Sequence, residues 1–254
     1  MSLSEALVIC EGYHDRAFWH GMLKDLGCHD APSTQEGDHR VFRDPWNRPV
    51  RGGRALLSKS REFVSIRPAN GKDDVCRTVR LRLGEHALQP LRVLVVNVDA
   101  DTNADGTPST SRGVSRAAVE DVVRQADPAA VADGKDFLVF GGTVCVAFTV
   151  WSATVPPSLG LPNQQTLERV ISAALASVYP DRAAAVDRWL AARPNPPQPN
   201  PKEHAWSYLA GWYANRPSYE GFCTSIWNEP AVAAQLRRCL MQTDVWRVAE
   251  LLAA

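Results

Sequence analysis

The chain has no excess of charge of either sign: its 254 residues include 28 lysines and arginines against 28 aspartates and glutamates. Net charge therefore does not point to a polyanionic partner, and nucleic-acid binding would need clustered cations or bound metal ions. No apolar run approaches the roughly 20 residues of a membrane span. The N-terminal residues also lack the basic and apolar regions of a signal peptide. We therefore expect a cytoplasmic protein with no membrane association.

Closely spaced cysteine pairs are also missing from the sequence. None of the six cysteines forms a CxxC pair, which argues against a zinc knuckle and against a thioredoxin-type redox site. Their wide spacing is typical of reduced thiols in a cytoplasmic protein. They are Cys10, Cys28, Cys76, Cys145, Cys223 and Cys239.

The first part of the chain alternates apolar runs with helical patterns. Runs 6–10 and 91–98 are nearly continuous and rich in β-branched residues, as in strands buried on both faces of a parallel sheet. Such alternation predicts an α/β fold: a Rossmann-like parallel sheet flanked by helices. Further predicted strands lie at 63–66, 137–140 and 144–148, and predicted helices at 14–26, 73–84 and 114–125.

The pattern changes after Pro156, where helical periodicity predominates. We predict a helical C-terminal region, so that 1–155 form the α/β domain and 156–254 a helical extension with a proline-rich spacer at 193–201. The polar segment 27–53 is expected to be a loop-rich excursion or a short edge strand. The predicted C-terminal helices lie at 163–178, 181–192, 203–214, 218–227 and 230–252.

Carboxylates follow the two strongest predicted strands. Glu11 comes directly after the first strand, with Asp15 four residues later, and Asp99 and Asp101 follow run 91–98. Ligands bind at the carboxyl ends of strands in open α/β sheets, and paired carboxylates favour Mg²⁺ or Mn²⁺. Two structural interpretations stay open: Asp15 as an acid that stabilises a helix N-terminus, and Asp99–Asp101 as part of a polar turn.

A strand followed by Glu-Gly-x-x-Asp and a helix, and later a strand followed by Asp-x-Asp, resembles the TOPRIM domain. The string Ile9 to Phe18 is most similar to the overcoming-lysogenization-defect (OLD)-like and small standalone TOPRIM nucleases. The resemblance covers about residues 5–150. It implies that Glu11, Asp99 and Asp101 are catalytic metal ligands and that Asp15 is an additional ligand. It further implies Mg²⁺- or Mn²⁺-dependent cleavage of DNA or RNA.

The sequence departs from that family at the later acidic motif. No acid follows the strand at 144–150 before Glu168, so the resemblance does not extend to a complete second metal site. Glu120 or Asp121 could substitute, although a solvated helix face explains them as well. The resemblance also assigns Lys202 to the catalytic set, with a solvated lysine as the alternative. Gly71-Lys72 lacks the surrounding residues of a phosphate-binding loop and is not assigned to one.

One stretch combines basic and aromatic residues. It could follow a nucleic-acid backbone and stack a base on Trp46, or be an ordinary surface loop. Its arginines are Arg40, Arg43, Arg48, Arg51 and Arg54.

Two other functions remain open from the sequence. A non-catalytic TOPRIM subunit could regulate an ATP-hydrolysing partner protein, which the resemblance implies as a partner. Asp99-Ala100-Asp101-Thr102 also matches the D-x-D-x-T of haloacid-dehalogenase-type phosphatases, with Asp99 as the nucleophile. The C-terminal tryptophans are expected in a helical core or a homodimer interface.

Overall fold

A computed structural model describes residues 4–37, 39–100, 115–133, 137–153, 166–192, 209–210 and 218–254. The chain divides into two compact units. The first comprises Met1–Val98, Val114–Thr149 and Val248–Ala254, and the second comprises Asp99–Gly113 and Val150–Arg247.

The first unit contains an eight-stranded mixed sheet in the order β2-β6-β7-β1-β8-β11-β10-β9. Its strands are β1 (Glu5–Cys10), β2 (His29–Asp30), β6 (Arg54–Leu57), β7 (Phe63–Pro68), β8 (Leu91–Val98), β9 (Val131–Asp133), β10 (Phe137–Phe140) and β11 (Val144–Val150).

The centre of the sheet is parallel: β1 runs between β7 and β8 in the same direction as both. Cys10 pairs with Pro68 on one side and with Asn97 on the other, so the three strands end at the same edge. Every residue of β1 is buried, as expected for a strand covered on both faces. The α/β prediction is confirmed, with antiparallel strands added toward both edges.

Helices link the parallel strands and cover the sheet. Helix α1 (Tyr13–Asp25) follows β1 and packs on β1, β6 and β7. Helix α2 (Lys72–Gly84) connects β7 to β8 and packs on both β1 and α3 (Arg116–Ala126). Phe18 and Trp19 of α1 are fully buried, and burial of a large apolar side chain contributes about 1.5–3 kcal/mol.

A buried polar network attaches α1 to the sheet. The Trp19 indole Nε1 donates to Asn97 Oδ1 at 2.9 Å, and Asn97 Nδ2 donates to Thr149 Oγ1 at 3.2 Å. Asn97 is the one polar side chain among the valines at the end of β8, and it is fully buried. Because these hydrogen bonds satisfy it, the strand tolerates a polar residue at this depth.

Segment 27–53 contains more regular structure than predicted. Strands β3 (Ser33–Glu36), β4 (His39–Arg43) and β5 (Pro49–Val50) form a small antiparallel sheet. The predicted short edge strand is present as β2, at the edge of the eight-stranded sheet. The small sheet was not predicted, because its strands are short and only partly buried, so they leave no apolar run in the sequence. Only Phe42 and Val50 reach the apolar cluster beneath them.

The described part of the second unit is helical, as predicted. Helix α4 (Leu167–Val178) packs against both α5 (Pro180–Ala191) and α7 (Pro230–Leu240). A 3-10 turn, Ile226–Asn228, joins α6 (Tyr219–Ser225) to the residues before α7. The last helix, α8 (Asp244–Ala253), continues into the first unit.

The predicted helix at 230–252 is in fact two helices. Helix α7 ends at Leu240, because Met241 has ψ 132° and Gln242 has φ +72°. Thr243 Oγ1 accepts the Trp246 N–H at 3.2 Å, which starts α8. The proline-rich spacer, the predicted boundary at residue 155 and most of the predicted helix at 203–214 lie outside the described residues. Among the helices that are described, none has the length and hydropathy to cross a membrane.

Candidate functional site

Glu11 occupies the turn between β1 and α1. Cys10 is the last residue of β1, and α1 begins three residues after it, at Tyr13. Asp15 Oδ2 accepts the Gly12 N–H at 3.0 Å, and Asp15 is only 8% exposed. Asp15 therefore stabilises the start of α1, in agreement with the structural interpretation of this residue. Its predicted role as a metal ligand stays a prediction.

The loop between β7 and α2 is attached to the backbone of β1. The Ala69 N–H donates to Cys10 O at 2.8 Å, and the Gly71 N–H donates to Glu11 O at 3.0 Å. Asn70 has φ +65° and Gly71 has φ +117°. Unusual dihedrals of this kind persist only where surrounding contacts hold them, and they often occur at functional sites. The loop thereby places the first residue of α2 next to Glu11.

That first residue is Lys72. Its Nζ lies 3.8 Å from Glu11 Oε2, and the two side chains are 10% and 19% exposed. The separation is within ion-pair range but longer than a hydrogen bond. Sequence reasoning missed this contact, because Gly71-Lys72 was considered only as part of a phosphate-binding loop. Lys72 begins the helix that follows β7, the strand beside β1, and this position could have predicted its contact with Glu11.

The Cys10 thiol reports the electrostatics of the same turn. Burial raises its pKa well above the usual value, the charges of Asp15 and Glu11 raise it further, and Arg16 lowers it. The thiol donates to Gly12 O at 3.4 Å and to Arg67 O at 3.5 Å. Cys10 therefore stays protonated at neutral pH, which argues against a role as a nucleophile.

Arg16 joins α1 to the turn after β5. Its Nη1 donates to Gly52 O, and its guanidinium lies 4.7 Å from the centre of the Tyr13 ring. Gly53, the next residue of this turn, lies close to Val50 and to β7, because a Cβ there would be 2.6 Å from Val50 Cγ1 and 3.0 Å from Ile66 O. Tyr13, two residues after Glu11, remains 48% exposed. An exposed aromatic ring of this kind can stack on a ligand.

Asp99 follows β8 and belongs to the second unit. Its Oδ1 accepts the Leu167 N–H at the start of α4 at 3.0 Å, and the residue is 8% exposed. This carboxylate thus supports a helix N-terminus, a role that the sequence did not predict. Asp101 and Lys202 lie outside the described residues.

The fit to a divalent cation rests on oxygen chemistry. Carboxylates such as those of Glu11 and Asp15 are the ligands that Mg²⁺ and Mn²⁺ prefer. Within the described residues, no three or more histidine, cysteine, aspartate or glutamate side chains form a group that could hold a metal ion. The carboxylates at the turn after β1 are therefore of the ligand type that Mg²⁺ prefers, and further ligands would have to complete the coordination of the ion.

Three of the predicted nucleic-acid-binding arginines pair with carboxylates. Arg40 and Arg48 also lie over aromatic rings, those of Phe42 and Trp46. Arg51 is exposed in the turn after β5. Ion pairs neutralise much of the charge that phosphates would contact, although nucleic-acid binding by this segment stays a prediction. The pairs are Arg40 with Asp30 at 3.0 Å, Arg43 with Glu36 at 2.9 Å and Arg48 with Asp44 at 2.8 Å.

Comparison with known proteins gives a structural relative. No family model and no curated protein matches the chain. The crystal structure of the hypothetical protein PH0156 from Pyrococcus horikoshii OT3 is similar, with a TM-score of 0.65 over 99% of this chain and 100% of that chain. The sequences are 14% identical, so the similarity shows the fold alone.

Proposed function

We propose that this protein is a Mg²⁺- or Mn²⁺-dependent nuclease of the TOPRIM type that hydrolyses phosphodiester bonds of DNA or RNA. The observation that carries the proposal is the position of Glu11. It lies one residue beyond a fully buried central parallel strand, with Lys72 held 3.8 Å away by a loop of unusual dihedrals. A carboxylate and an ammonium at the carboxyl ends of parallel strands suit a phosphate-bearing substrate bound through a cation.

The order of the strands supports this proposal. Strands β7, β1 and β8 are parallel neighbours, and in the sequence Glu11 follows β1 while Asp99 and Asp101 follow β8. The resemblance to TOPRIM nucleases assigns metal binding to these acids and to Asp15. Lys72 was not part of that assignment and comes from the geometry.

The residues at this turn would act on the substrate through charge. When bound, the cation would polarise a phosphate oxygen and favour ionisation of the attacking water. Glu11 would bind that cation, because an unscreened carboxylate would otherwise repel the substrate phosphate. Lys72 would stabilise the negative charge that develops on the phosphoryl oxygens. The exposed Tyr13 ring offers a surface on which a base could stack.

A non-catalytic TOPRIM subunit that regulates an ATP-hydrolysing partner is the second candidate. One observation favours it: Asp99 Oδ1 accepts the Leu167 N–H, so this predicted metal ligand already has a structural role. The lack of an acid after the strand at 144–150 also favours the non-catalytic candidate.

Cleavage assays distinguish the two candidates. Labelled single- and double-stranded DNA and RNA are incubated with Mg²⁺, Mn²⁺ or EDTA, using the wild type, Glu11→Gln and the matched control Glu250→Gln, an exposed glutamate of α8. The nuclease proposal expects metal-dependent cleavage by the wild type and the control, and its loss in Glu11→Gln. Equal cleavage by all three proteins, or cleavage that persists in EDTA, contradicts the proposal.

A further inference from the structure

A buried arginine in the second unit has no role in the proposed nuclease chemistry. Arg169 lies in the first turn of α4, where its backbone N–H donates to Thr166 Oγ1 at 3.3 Å, and the residue is only 1% exposed. Its guanidinium atoms Nε, Nη1 and Nη2 are all buried, and none has a hydrogen-bond partner within the part of the chain that the structure describes.

Burial of an unpaired guanidinium lowers the stability of the folded protein, because the charge loses its hydration. Burial lowers the pKa of Arg169, but a guanidinium keeps its charge at neutral pH, so it cannot escape desolvation by losing a proton. Buried charges in proteins are therefore paired with a counter-ion or hydrogen-bonded. The preceding residue, Glu168, makes no ion pair with Arg169, as expected for adjacent side chains that point away from each other on a helix.

The nearby titratable group on α7 does not supply the missing charge. The Cys239 thiol lies close enough to Arg169 to interact with it electrostatically. Burial raises the pKa of this thiol to about 11, even though Arg169 lowers it. Cys239 is therefore neutral at pH 7 and is not a counter-ion.

A second buried polar side chain lies on the same face of α4. Ser172 is three residues after Arg169, a spacing that places two side chains side by side on a helix. The Ser172 hydroxyl is fully buried and has no hydrogen-bond partner among the described residues. The same helix face thus presents a planar array of guanidinium donors and, one turn later, a hydroxyl donor.

We propose that Arg169 and Ser172 bind a phosphate group, either as free phosphate or as the phosphoryl group of a small molecule. The guanidinium can donate two parallel hydrogen bonds to two phosphate oxygens, and the Ser172 hydroxyl can donate to a third. A tetrahedral oxyanion has enough oxygens for both side chains, whereas a planar carboxylate has only two. The bound anion also supplies the counter-charge that the described residues lack around Arg169.

Phosphate titration of the full-length protein tests this site. Inorganic phosphate should raise the melting temperature of the wild type by about 5 °C or more at a hundredfold excess over its dissociation constant. It should also give a saturable calorimetric isotherm. Acetate at the same ionic strength should leave the melting temperature unchanged. If a mononucleotide binds more tightly than inorganic phosphate, the natural source is a phosphorylated small molecule.

Matched variants assign the binding to these residues. Arg169→Met, which keeps an unbranched apolar side chain but removes the guanidinium charge, should abolish the phosphate shift and melt at the wild-type temperature or higher in phosphate-free buffer. Ser172→Ala should weaken phosphate binding by about tenfold. The control Arg188→Met, at an exposed position of α5, should respond to phosphate like the wild type.

Several results would overturn the proposal. The absence of phosphate binding by the wild type is one, and equal phosphate shifts in the wild type and Arg169→Met is another. If Arg169→Met does not fold, Arg169→Lys and Ser172→Ala decide the question. Unchanged phosphate affinity in both would show that the guanidinium serves the fold alone.

Discussion

Glu11 and Lys72 form an ion pair whose members come from segments 61 residues apart in the sequence, with Nζ and Oε2 separated by 3.8 Å. Their low exposure reduces the screening that weakens surface ion pairs. A ligand that binds either residue therefore has to compete with this pair. Removal of Lys72 should therefore change metal affinity and cleavage rate in different directions.

Lys72→Met separates metal binding from catalysis. Removing the ammonium relieves competition for Glu11, so Mn²⁺ affinity should stay the same or increase. Cleavage should nevertheless fall by about 100-fold, the usual loss when one group that stabilises transition-state charge is removed. Single-turnover cleavage at saturating Mn²⁺, compared with a Mn²⁺ titration, measures both effects.

Lys24→Met provides the control, because Lys24 is an exposed lysine on α1 that pairs with Asp30 at 3.4 Å. It should cleave at the wild-type rate. A Lys72→Met protein that cleaves as fast as Lys24→Met would remove Lys72 from the mechanism and leave the role of Glu11 unaffected.

The sequence predicts the positions of some site residues but not their long-range contacts. The position of Glu11 could be predicted, because an acid directly after a run of apolar residues marks the end of a buried strand. The contact with Lys72 depends on how the loop after β7 folds back onto β1, which no local pattern encodes. The bond from Leu167 N to Asp99 Oδ1 likewise joins residues 68 positions apart, and it could not be derived from the turn-like composition around Asp99.

Among the elements, the loop between β7 and α2 connects the fold to the candidate site. Its backbone N–H groups at Ala69 and Gly71 donate to Cys10 O and Glu11 O, so the start of α2 is fixed relative to the end of β1. Gly71 is necessary for this path, because φ +117° is a conformation that other residues rarely adopt. We therefore expect the activity to depend on the dihedrals of this loop.

Gly71→Ala should destabilise the protein by about 1–3 kcal/mol, the usual cost of a residue in a sparsely populated backbone region. No atom lies within 4 Å of the added methyl group, so the cost is conformational and not steric. Chemical denaturation measures the change, and cleavage should fall together with stability as the loop changes its path.

Gly84→Ala, at the other end of the same helix, is the matched control. It also adds a methyl group in open space, but at an ordinary backbone conformation, so it should be neutral or slightly stabilising. Equal effects of the two substitutions would show that the Gly71 conformation imposes no constraint.

Elements with strong patterns were predicted well, and the others were not. The buried strands β1 and β8 and helices α1, α2 and α3 match the apolar runs and helical periodicities closely. The break between α7 and α8 was missed because Gln242 is a residue that helices usually accept. The extended ψ of Met241, the positive φ of Gln242 and the cap at Thr243 separate the two helices.

Considered as a whole molecule, the chain combines a mixed sheet that has a parallel centre with a set of helices in the second unit. Alternation of strands and helices along the sequence was enough to predict this class of fold, and the similarity to the Pyrococcus horikoshii protein agrees with it. The small sheet of β3, β4 and β5 was not predicted, since its exposed strands depend on pairing with one another. The chemistry assigned to the fold depends on one cation site.

Isothermal calorimetry with Mn²⁺ tests that assignment most directly, because it needs neither a substrate nor a partner protein. The wild type and Glu250→Gln should bind Mn²⁺ with the same affinity, and Glu11→Gln should bind at least about tenfold more weakly, since it replaces a charged oxygen ligand with a neutral one. Equal Mn²⁺ affinity in the wild type and Glu11→Gln, or no binding by either, would contradict a metal site at the end of β1.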